Sequence, residues 1–412
     1  MKKILIYGMG KTGIELKKFC KRNSINFCTF DDKTDNQSDF IKLLEKCSYI
    51  VVSPGIGLRN KNLKIAINKK IKIISEIEFA SKFLDKPIIA ITGTNGKTTT
   101  AMLTNELLTS AGVKVFLGGN IGTPLIKAVN SKEKFDLILV EVSSFQLQFI
   151  DSSFKPFVSA LLNISENHLD HHLNFREYKE SKMKIFKNQN KTDYSLIVQP
   201  QFIKKNIKSN RINPLKNNKI YETDDNIIIE NMKIRKDELK LLGPHNIKNI
   251  LFSLNIFSLF KKPAKKQINV LRKFSSPPHR LQRISKNRII INDSKSTSPQ
   301  ATEVAIKSFN KKIILIMGGK NKGLNYNSLQ KLIKDKVKLL ILCGENKFEL
   351  SKIFDSNSNL IAPNLLEAVT LGLKNLKNEE VLLFSPGTSS FDQYDSFTHR
   401  GEIFTDYVKE LS

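Results

Sequence analysis

The sequence predicts an α/β protein of three domains, each built on a parallel sheet. Two units of strand, glycine turn and helix support this class, one within residues 3–23 and one within residues 87–111. A third observation is that strand-to-glycine-loop units recur after residue 277. Parallel strands joined by helices bring such loops to one rim of a sheet. We therefore expect domains at residues 1–80, 81–276 and 277–412.

The composition is that of a globular protein with a large excess of positive charge. The 412 residues are 40% hydrophobic and 26% charged, which allows two or three buried cores. The formal net charge of +28 raises the alternative of nucleic-acid binding, which would weaken steeply with salt. The charge is spread along the whole chain without a clustered basic and aromatic face, so we expect no nucleic-acid partner.

Cysteine usage and hydropathy favour a cytoplasmic location. The four cysteines form no C-x-x-C pair, and the first apolar stretch is too short for a signal peptide. No run approaches the ~18 apolar residues of a membrane span, so we expect no membrane insertion.

The first unit is typical of a Rossmann-like nucleotide-binding domain. A strand at 3–7 precedes Gly8, Gly10 and Gly13, and a helix is expected from about Ile14. Asp31 follows the next strand at the distance typical of dinucleotide sites. A redox protein is therefore an alternative, but about 80 residues suit the binding of one nucleotide by its phosphates better.

A second turn of this domain, Ser53-Pro54-Gly55, follows the apolar run 49–52. Open α/β sheets bind ligands at the carboxyl ends of their strands. We therefore expect this turn to lie beside the ligand.

The central unit carries the strongest motif, GTNGKTTT at 93–100. Gly93 and Gly96 would let backbone N–H groups approach phosphate, and the helix dipole favours negative charge. Lys97 would reach the phosphates and Thr98 would offer its hydroxyl to Mg²⁺. The alternative is a glycine-rich connection with an incidental lysine.

Two later strand ends are expected beside this loop. The apolar strand 137–140 leads to Glu141, an acidic residue that could support Mg²⁺ directly or through water. Asn120 lies in the glycine turn GGNIG. An ordinary solvated carboxylate is the alternative for Glu141.

A histidine cluster follows at 168–172 in the stretch LLNISENHLDHH. The spacing of His168, Asp170, His171 and His172 could bind a transition metal, so a zinc hydrolase is an alternative. No cysteine or second H-x-x-x-H element accompanies it, and a polar helix start is the simpler interpretation.

The next segments carry less chemistry. A helix is expected at 174–188, β-hairpins between 191 and 240, and a helix at 241–260. Asn246 and Asn249 share a face of that last helix, although capping alone could explain Asn246.

The last domain begins near the Ser- and Pro-rich segment 274–284. Asp293 and Lys295 follow a strand and precede an Ala-containing helix, and the loops GGKNKG and SPGTSS follow further strands.

Together these motifs resemble the Mur ligases, ATP-dependent amide-forming enzymes whose family includes folylpolyglutamate synthetase. The resemblance rests on six segments, which are GTNGKTT, GGNIG, EVSSFQL, NISENHLD, GPHNIKN and PPHRLQ. It implies a UDP-binding domain, an ATPase domain and a domain for the amino acid and part of the ATP site.

Five further segments favour the branch of the family that uses UDP-N-acetylmuramoyl-L-alanine, D-glutamate and ATP as substrates. They are GMGKTG, VVSPGI, INDSKST, GGKNKG and SPGTSSFDQYDSFTHRG. The D-N-P-R motif usual in relatives that add diaminopimelate or lysine is not present. The resemblance implies phosphorylation of a carboxylate by ATP and attack of the amine on the acyl phosphate, in a cytoplasmic enzyme expected to be monomeric.

The resemblance also implies roles for particular residues. ATP would contact Gly93, Thr94, Asn95, Gly96, Lys97, Thr98, Thr99, Asn246, Asn249, Arg280 and Asp293. Two Mg²⁺ ions would be held by Thr98, Glu141, His168 and Lys182, with Lys97, His168 and Lys182 catalytic. The substrates would contact Thr12, Asp31, Ser53, Pro54, Gly55, Asn120, Lys295, Thr297, Lys322, Ser390 and Phe397.

Lys182 matches a lysine that is carbamylated in the family. A carbamate would turn this cation into an anion able to support Mg²⁺. The alternative is a surface lysine on a Lys-rich helix.

The sequence departs from the family pattern at Asn167, His171 and Ser298, where Asp, Arg and Asn are common. Residues 191–240 match poorly. Three functional alternatives remain, namely another Mur-type ligase, a folylpolyglutamate-type ligase, and a regulatory ATPase that needs no amino acid.

Overall fold

The computed structural model describes residues 3–165, 172–198, 207–241, 243–275, 278–285, 287–354 and 359–411. The chain forms two compact units, Met1–Glu238 with Ile247–Arg272 and Leu239–Asn246 with Lys273–Ser412. Within the described residues, no helix is both long and apolar enough to cross a membrane.

The first sheet has four parallel strands in the order β2-β1-β3-β4. Its elements are β1 (Lys3–Tyr7), α1 (Lys11–Arg22), β2 (Phe27–Phe30), α2 (Gln37–Lys46), β3 (Cys47–Val52), α3 (Lys61–Asn68), β4 (Lys72–Ser75) and α4 (Glu76–Ser81). The strand order changes direction between β1 and β3. The turns after these two strands therefore meet at the ligand-binding rim of the sheet. The predicted strand at 3–7 is confirmed, while α1 begins earlier than expected.

The second sheet has six parallel strands in the order β10-β9-β8-β5-β7-β6. Its elements are β5 (Ile88–Thr92), α5 (Lys97–Ser110), β6 (Val115–Gly119), α6 (Ile126–Asn130), β7 (Leu137–Glu141), α7 (Ser144–Gln148), β8 (Val158–Leu161), α8 (Phe175–Met183), β9 (Tyr194–Ile197) and β10 (Asn210–Ile212). All residues of β5, β7 and β8 are buried, as expected for central strands covered on both faces.

The prediction of hairpins between 191 and 240 is partly wrong. The strands β9 and β10 pair in parallel and extend the second sheet. Only β11 (Ile220–Glu222), β12 (Asn226–Ile229) and β13 (Met232–Arg235) form an antiparallel sheet. Short apolar runs fit either pairing, because the choice depends on contacts with β8 that are distant in sequence.

The predicted helix at 241–260 is α9 (Pro244–Ser258), which is followed by α10 (Lys265–Lys273). The first residues of α9 belong to the second compact unit and the rest to the first.

The third sheet lies in the second unit and has the order β14-β15-β19-β16-β17-β18. Its elements are β14 (Gln282–Arg283), β15 (Ile289–Asn292), α11 (Pro299–Lys307), β16 (Ile313–Met317), α12 (Asn327–Lys336), β17 (Val337–Leu342), α13 (Lys347–Ile353), β18 (Asn359–Ile361), α14 (Leu365–Asn375), β19 (Val381–Phe384) and α15 (Phe397–Leu411). Only β14 is antiparallel to its neighbour. The predicted parallel sheet with its loops at one rim is confirmed.

Candidate active site

The turn between β5 and α5 adopts a conformation that requires glycine. Gly93 and Gly96 have φ angles of 156° and 86°, which side chains disfavour. A Cβ on Gly93 would lie 3.0 Å from Leu162 Cβ, and a Cβ on Gly96 would collide with Asn249 Oδ1. A larger residue at either position would therefore strain the turn.

Two residues outside the motif hold this turn in place. Asn163 accepts from Asn95 N through its Oδ1 at 2.9 Å and donates from Nδ2 to Asn95 O at 3.0 Å. The hydroxyls of Tyr178 and Thr94 lie 2.9 Å apart. The sequence prediction did not assign either Asn163 or Tyr178 to the site. Nothing local to an Asn after a strand, or to a Tyr inside a helix, indicates such a role.

Glu141 accepts hydrogen bonds from two predicted site residues. Its Oε2 accepts from Thr98 Oγ1 at 2.7 Å, and its Oε1 accepts from Asn120 Nδ2 at 2.8 Å. The side chain is buried, with 3% exposure, so Glu141 is not a solvated surface carboxylate. The ends of β6 and β7, which are neighbours in the sheet, bring these groups to the start of α5.

Two lysines converge on the same backbone oxygen. Lys97 Nζ donates to Gly93 O at 2.8 Å, and Lys182 Nζ donates to it at 2.9 Å. Lys182 is 1% exposed and its Nζ lies 4.8 Å from the centre of the Tyr178 ring. The alternative of a surface lysine at position 182 is therefore wrong.

Burial is the main reason why the pKa of Lys182 falls well below its usual value of 10.5. The positive charge of Lys97 lowers this pKa further, whereas Glu141 opposes the shift. The neutral amine is thus easier to form at Lys182 than at an ordinary lysine.

The rim of the first sheet brings the two N-terminal turns together. Ser53 Oγ donates to Gly8 O at 2.7 Å, and Met9 N donates to Asp31 Oδ2 at 2.6 Å. Backbone hydrogen bonds from Lys33 and Met9 lower the pKa of Asp31. Asp31 therefore holds the glycine turn itself, a role that the sequence did not suggest.

The glycines of this rim differ in their surroundings. A Cβ on Gly8 would lie 2.8 Å from Ile56 Cδ1, and a Cβ on Gly13 would collide with Gly8 O. Among the described residues, and apart from the glycine itself, its own helix backbone and the adjacent residues in the chain, no atom lies within 4 Å of the position that a Cβ would take on Gly10 or Gly55. These two glycines therefore border open space.

In the second unit, Asp293 follows β15 and is buried. Its Oδ2 accepts from Ser296 Oγ at 2.5 Å and from Ser385 Oγ at 2.9 Å, and its Oδ1 accepts from Leu281 N at 3.1 Å. Burial raises its pKa to about 6, although these hydrogen bonds and the charge of Arg280 act in the opposite direction.

Arg400 joins loops that carry predicted substrate residues. Its guanidinium donates to Ser294 Oγ at 3.1 Å, to Ser294 O at 2.9 Å and to Thr388 O at 3.1 Å. Lys295 Nζ lies 5.3 Å from the centre of the Phe397 ring. Burial lowers the pKa of Arg400 to about 10. The sequence prediction included Arg400 in a motif but gave it no role.

The remaining predicted residues differ in exposure. Asn246, Asn249, Thr99 and Ser390 are buried, Thr12, Pro54 and Arg280 are half-buried, and Thr297 and Lys322 are exposed. His168 lies outside the described residues, as do Asp170 and His171.

His172 is the one member of the histidine cluster within the described residues, and its ring is fully buried. Nδ1 lies 3.0 Å from Gln148 Nε2, and Nε2 lies 2.9 Å from Ser144 Oγ. Both ring nitrogens are thus engaged by protein groups, which is the arrangement of a structural histidine.

The fold and the site define a nucleotide-binding α/β protein with a phosphate loop. Residues 91–257 match the Mur ligase middle domain, and residues 279–387 match the Mur ligase, glutamate ligase domain. The chain belongs to the Mur ligase family.

Two full-length relatives carry the same name. The UDP-N-acetylmuramoylalanine--D-glutamate ligase of Geotalea uraniireducens is 34% identical over all of this chain and 98% of its own. The enzyme of that name from Buchnera aphidicola subsp. Acyrthosiphon pisum is 36% identical over the same shares.

Solved structures share the fold. MurF ligase from Thermotoga maritima in complex with ADP has a TM-score of 0.65 at 16% identity, and covers 100% of this chain and 95% of its own. E. coli FolC in complex with DHPP and ADP has a TM-score of 0.59 at 15% identity, and covers 82% of this chain and 94% of its own. The predicted three-domain α/β architecture is confirmed.

Proposed function

We propose that this protein is an ATP-dependent ligase that adds D-glutamate to UDP-N-acetylmuramoyl-L-alanine in peptidoglycan precursor synthesis. The observation that carries this function is the convergence of Thr98, Asn120, Lys97 and Lys182 around Glu141 and Gly93 O. Full-length relatives named for this reaction support the choice of substrates.

The donor set beside the phosphate loop fits Mg²⁺. A buried carboxylate, Glu141, and a hydroxyl, Thr98, are the hard oxygen ligands that Mg²⁺ prefers. We propose that these residues, together with His168 and Lys182, hold two Mg²⁺ ions, which would neutralise charge on the phosphates. Residues Gly93–Thr99 would bind ATP, aided by Asn246, Asn249, Arg280 and Asp293.

Lys182 would act as a carbamate. Carbamylation joins the neutral amine nitrogen to the carbon of CO₂ and releases a proton, so it requires the unprotonated lysine. The lowered pKa of Lys182 favours that form. The resulting anion would lie beside the positive charge of Lys97 and would form a group able to support a metal.

The protein would promote the reaction by positioning the substrates and neutralising their charge. A carboxylate oxygen of the muramoyl-alanine bonds to the γ-phosphorus of ATP as the bond to ADP breaks. The amine of D-glutamate then attacks the acyl carbon, loses a proton and expels phosphate. Lys97 and the N–H groups of the phosphate loop would hold the phosphate oxygens throughout.

The substrate residues are proposed by region. Residues 1–80 would bind the UDP end through Thr12, Asp31 and Ser53–Gly55, since Gly10 and Gly55 leave open space there. Residues 81–276 would hold ATP and place Asn120 towards the sugar-peptide part. Residues 277–412 would receive D-glutamate through Lys295, Thr297, Lys322, Ser390 and Phe397. We expect the enzyme to act as a monomer in the cytoplasm.

The test is phosphate release by the purified protein with Mg-ATP and UDP-N-acetylmuramoyl-L-alanine. D-Glutamate, L-glutamate, meso-diaminopimelate and no amino acid are compared. We expect release that requires D-glutamate. Release that ignores the amino acid would identify an ATPase instead, and dependence on another amino acid would keep the family but reject the proposed acceptor.

A further inference from the structure

Helix α4 carries two buried glutamates that accept hydrogen bonds from backbone N–H groups in loops of the second sheet. Glu76 Oε1 accepts from Ile126 N at 2.6 Å. Glu78 accepts from Ser152 N and Ser153 N through Oε1, and from Phe154 N through Oε2, at 2.7 to 3.1 Å. Each glutamate is 1% exposed. The two side chains therefore accept the same type of hydrogen bond and lie on one helix, but they hold different segments.

The segment held by Glu76 is the loop that carries Asn120. At its first end, Asn120 N donates to Glu141 O at 2.8 Å and Asn120 Nδ2 donates to Glu141 Oε1 at 2.8 Å. At its other end, Ile126 N donates to Glu76. Carboxylate groups thus fix both ends of this loop, one on β7 and one on α4.

The turn at the Asn120 end of this loop is tight. Gly119 has a φ angle of 87°, and a Cβ there would collide with Glu141 O. Gly119 N also donates to Thr123 O at 2.7 Å. A movement at Ile126 would therefore be passed along a tight turn to the Asn120 amide.

Glu78 holds a different segment, which leads into β8. Residues 152–154 lead into β8 and accept a further contact from Asn188, whose Nδ2 donates to Phe154 O at 3.0 Å. Glu78 thus provides a matched control for Glu76, because it is equally buried and makes the same type of bond.

The burial of Glu76 carries a cost in folding free energy. Its Oε2 is buried without a hydrogen-bond partner among the described residues, and burial raises its pKa to about 7. An unsatisfied buried oxygen disfavours folding, and the bond from Ile126 N to Oε1 offsets part of that cost.

We propose that Glu76 is a positioning residue for the nucleotide-sugar substrate, because it anchors the loop that presents Asn120 beside Glu141. This inference rests on the proposed function, in which Asn120 lies on the sugar-peptide side of the substrate. Glu76 acts through Ile126 and does not itself contact substrate.

The experiment measures the affinity for UDP-N-acetylmuramoyl-L-alanine by calorimetry without ATP, and KM for the same substrate, in full-length variants. Glu76→Ala should weaken both by about tenfold, the equivalent of one lost buried hydrogen bond. Glu76→Gln keeps an acceptor oxygen for Ile126 N and should stay within about twofold of wild type. Glu78→Ala should lower the melting temperature but leave this affinity unchanged.

The outcomes separate the two proposals. Equal weakening in Glu76→Ala and Glu78→Ala, or weakening in Glu76→Gln as large as in Glu76→Ala, would overturn the positioning role alone. A wild-type protein that binds no UDP-N-acetylmuramoyl-L-alanine would overturn the proposed function and this inference with it. An unchanged KM for ATP in Glu76→Ala is also required, since a general distortion of the folded protein would raise both KM values.

Discussion

The two glycine turns of the first compact unit look alike in sequence but differ in what fixes their glycines. In the phosphate loop, protein atoms block a Cβ at both Gly93 and Gly96. In the N-terminal turn, protein atoms block a Cβ at Gly8, whereas Gly10 borders open space. The fold favours glycine where protein atoms crowd the Cβ position. A glycine beside open space instead leaves room for a ligand.

The two turns also differ in how they are held. Side chains of Asn163 and Tyr178 hold the phosphate loop, and two lysines donate to Gly93 O. The side chains of Ser53 and Asp31 hold the N-terminal turn, and Gly8 N donates to Phe30 O. Substitutions in the phosphate loop should therefore affect chemistry and folding together, while substitutions at the N-terminal turn can affect ligand binding by itself.

Lys97→Ala should have the largest effect. Loss of the only ammonium in the GTNGKTTT motif removes charge stabilisation of the transferred phosphate, and we expect phosphate release to fall by about 10³-fold. Lys266, an exposed lysine on α10, provides the control, since Lys266→Ala should retain wild-type release. Retention of more than a tenth of the activity in Lys97→Ala would show that this loop does not bind the reacting phosphate.

Lys182→Met should separate activity from stability. The thioether has a similar length but cannot form a carbamate, so we expect kcat to fall by about 10²-fold without rescue by bicarbonate. Wild-type protein depleted of CO₂ should lose activity and regain it on addition of bicarbonate. The exposed Lys187→Met is the control, and bicarbonate should not change its relative activity.

In protein depleted of CO₂, the difference in stability between Lys182→Met and wild type should depend on pH in a defined direction. A lysine whose folded pKa is lowered releases its proton on folding, so wild-type stability rises with pH between that pKa and 10.5. The methionine variant lacks this dependence. Its melting temperature should therefore exceed that of wild type most at acidic pH, and the difference should shrink as the pH rises. A constant difference would mean that Lys182 is not buried as an amine.

The sequence predicted the fold class and the central motif because both depend on local patterns. Strand, glycine turn and helix follow one another around Lys97, and Thr98 lies next to it in the chain. The bracing residues could not be predicted in this way. Asn163 and Tyr178 reach the loop from distant positions in the chain, and the burial of Lys182 depends on how α8 packs. Parallel pairing of β9 and β10 was missed for the same reason.

Gly10→Ala tests the N-terminal turn directly. The added methyl group would lie more than 4 Å from every described residue except its neighbours in the chain, so the melting temperature should stay within about 2 °C of wild type. If the open space accommodates the diphosphate of the UDP group, the affinity for UDP-N-acetylmuramoyl-L-alanine should fall by about tenfold with KM for ATP unchanged. Gly8→Ala should instead lower the melting temperature, because its Cβ would press on Ile56. Unchanged substrate affinity in Gly10→Ala would place the diphosphate elsewhere.

Tyr178→Phe should have the smallest effect and tests whether bracing of the phosphate loop matters for ATP. The change removes the hydroxyl that meets Thr94 Oγ1 but keeps the ring beside Lys182. Loss of one buried hydrogen bond should lower the free energy of unfolding by about 1 kcal/mol and raise KM for ATP by about threefold. Tyr221→Phe removes a hydroxyl from a more exposed tyrosine on β11 and should change neither value. If Tyr178→Phe lowers stability while KM for ATP stays the same, Asn163 and the glycine geometry are sufficient to hold the loop, and Tyr178 serves the fold alone.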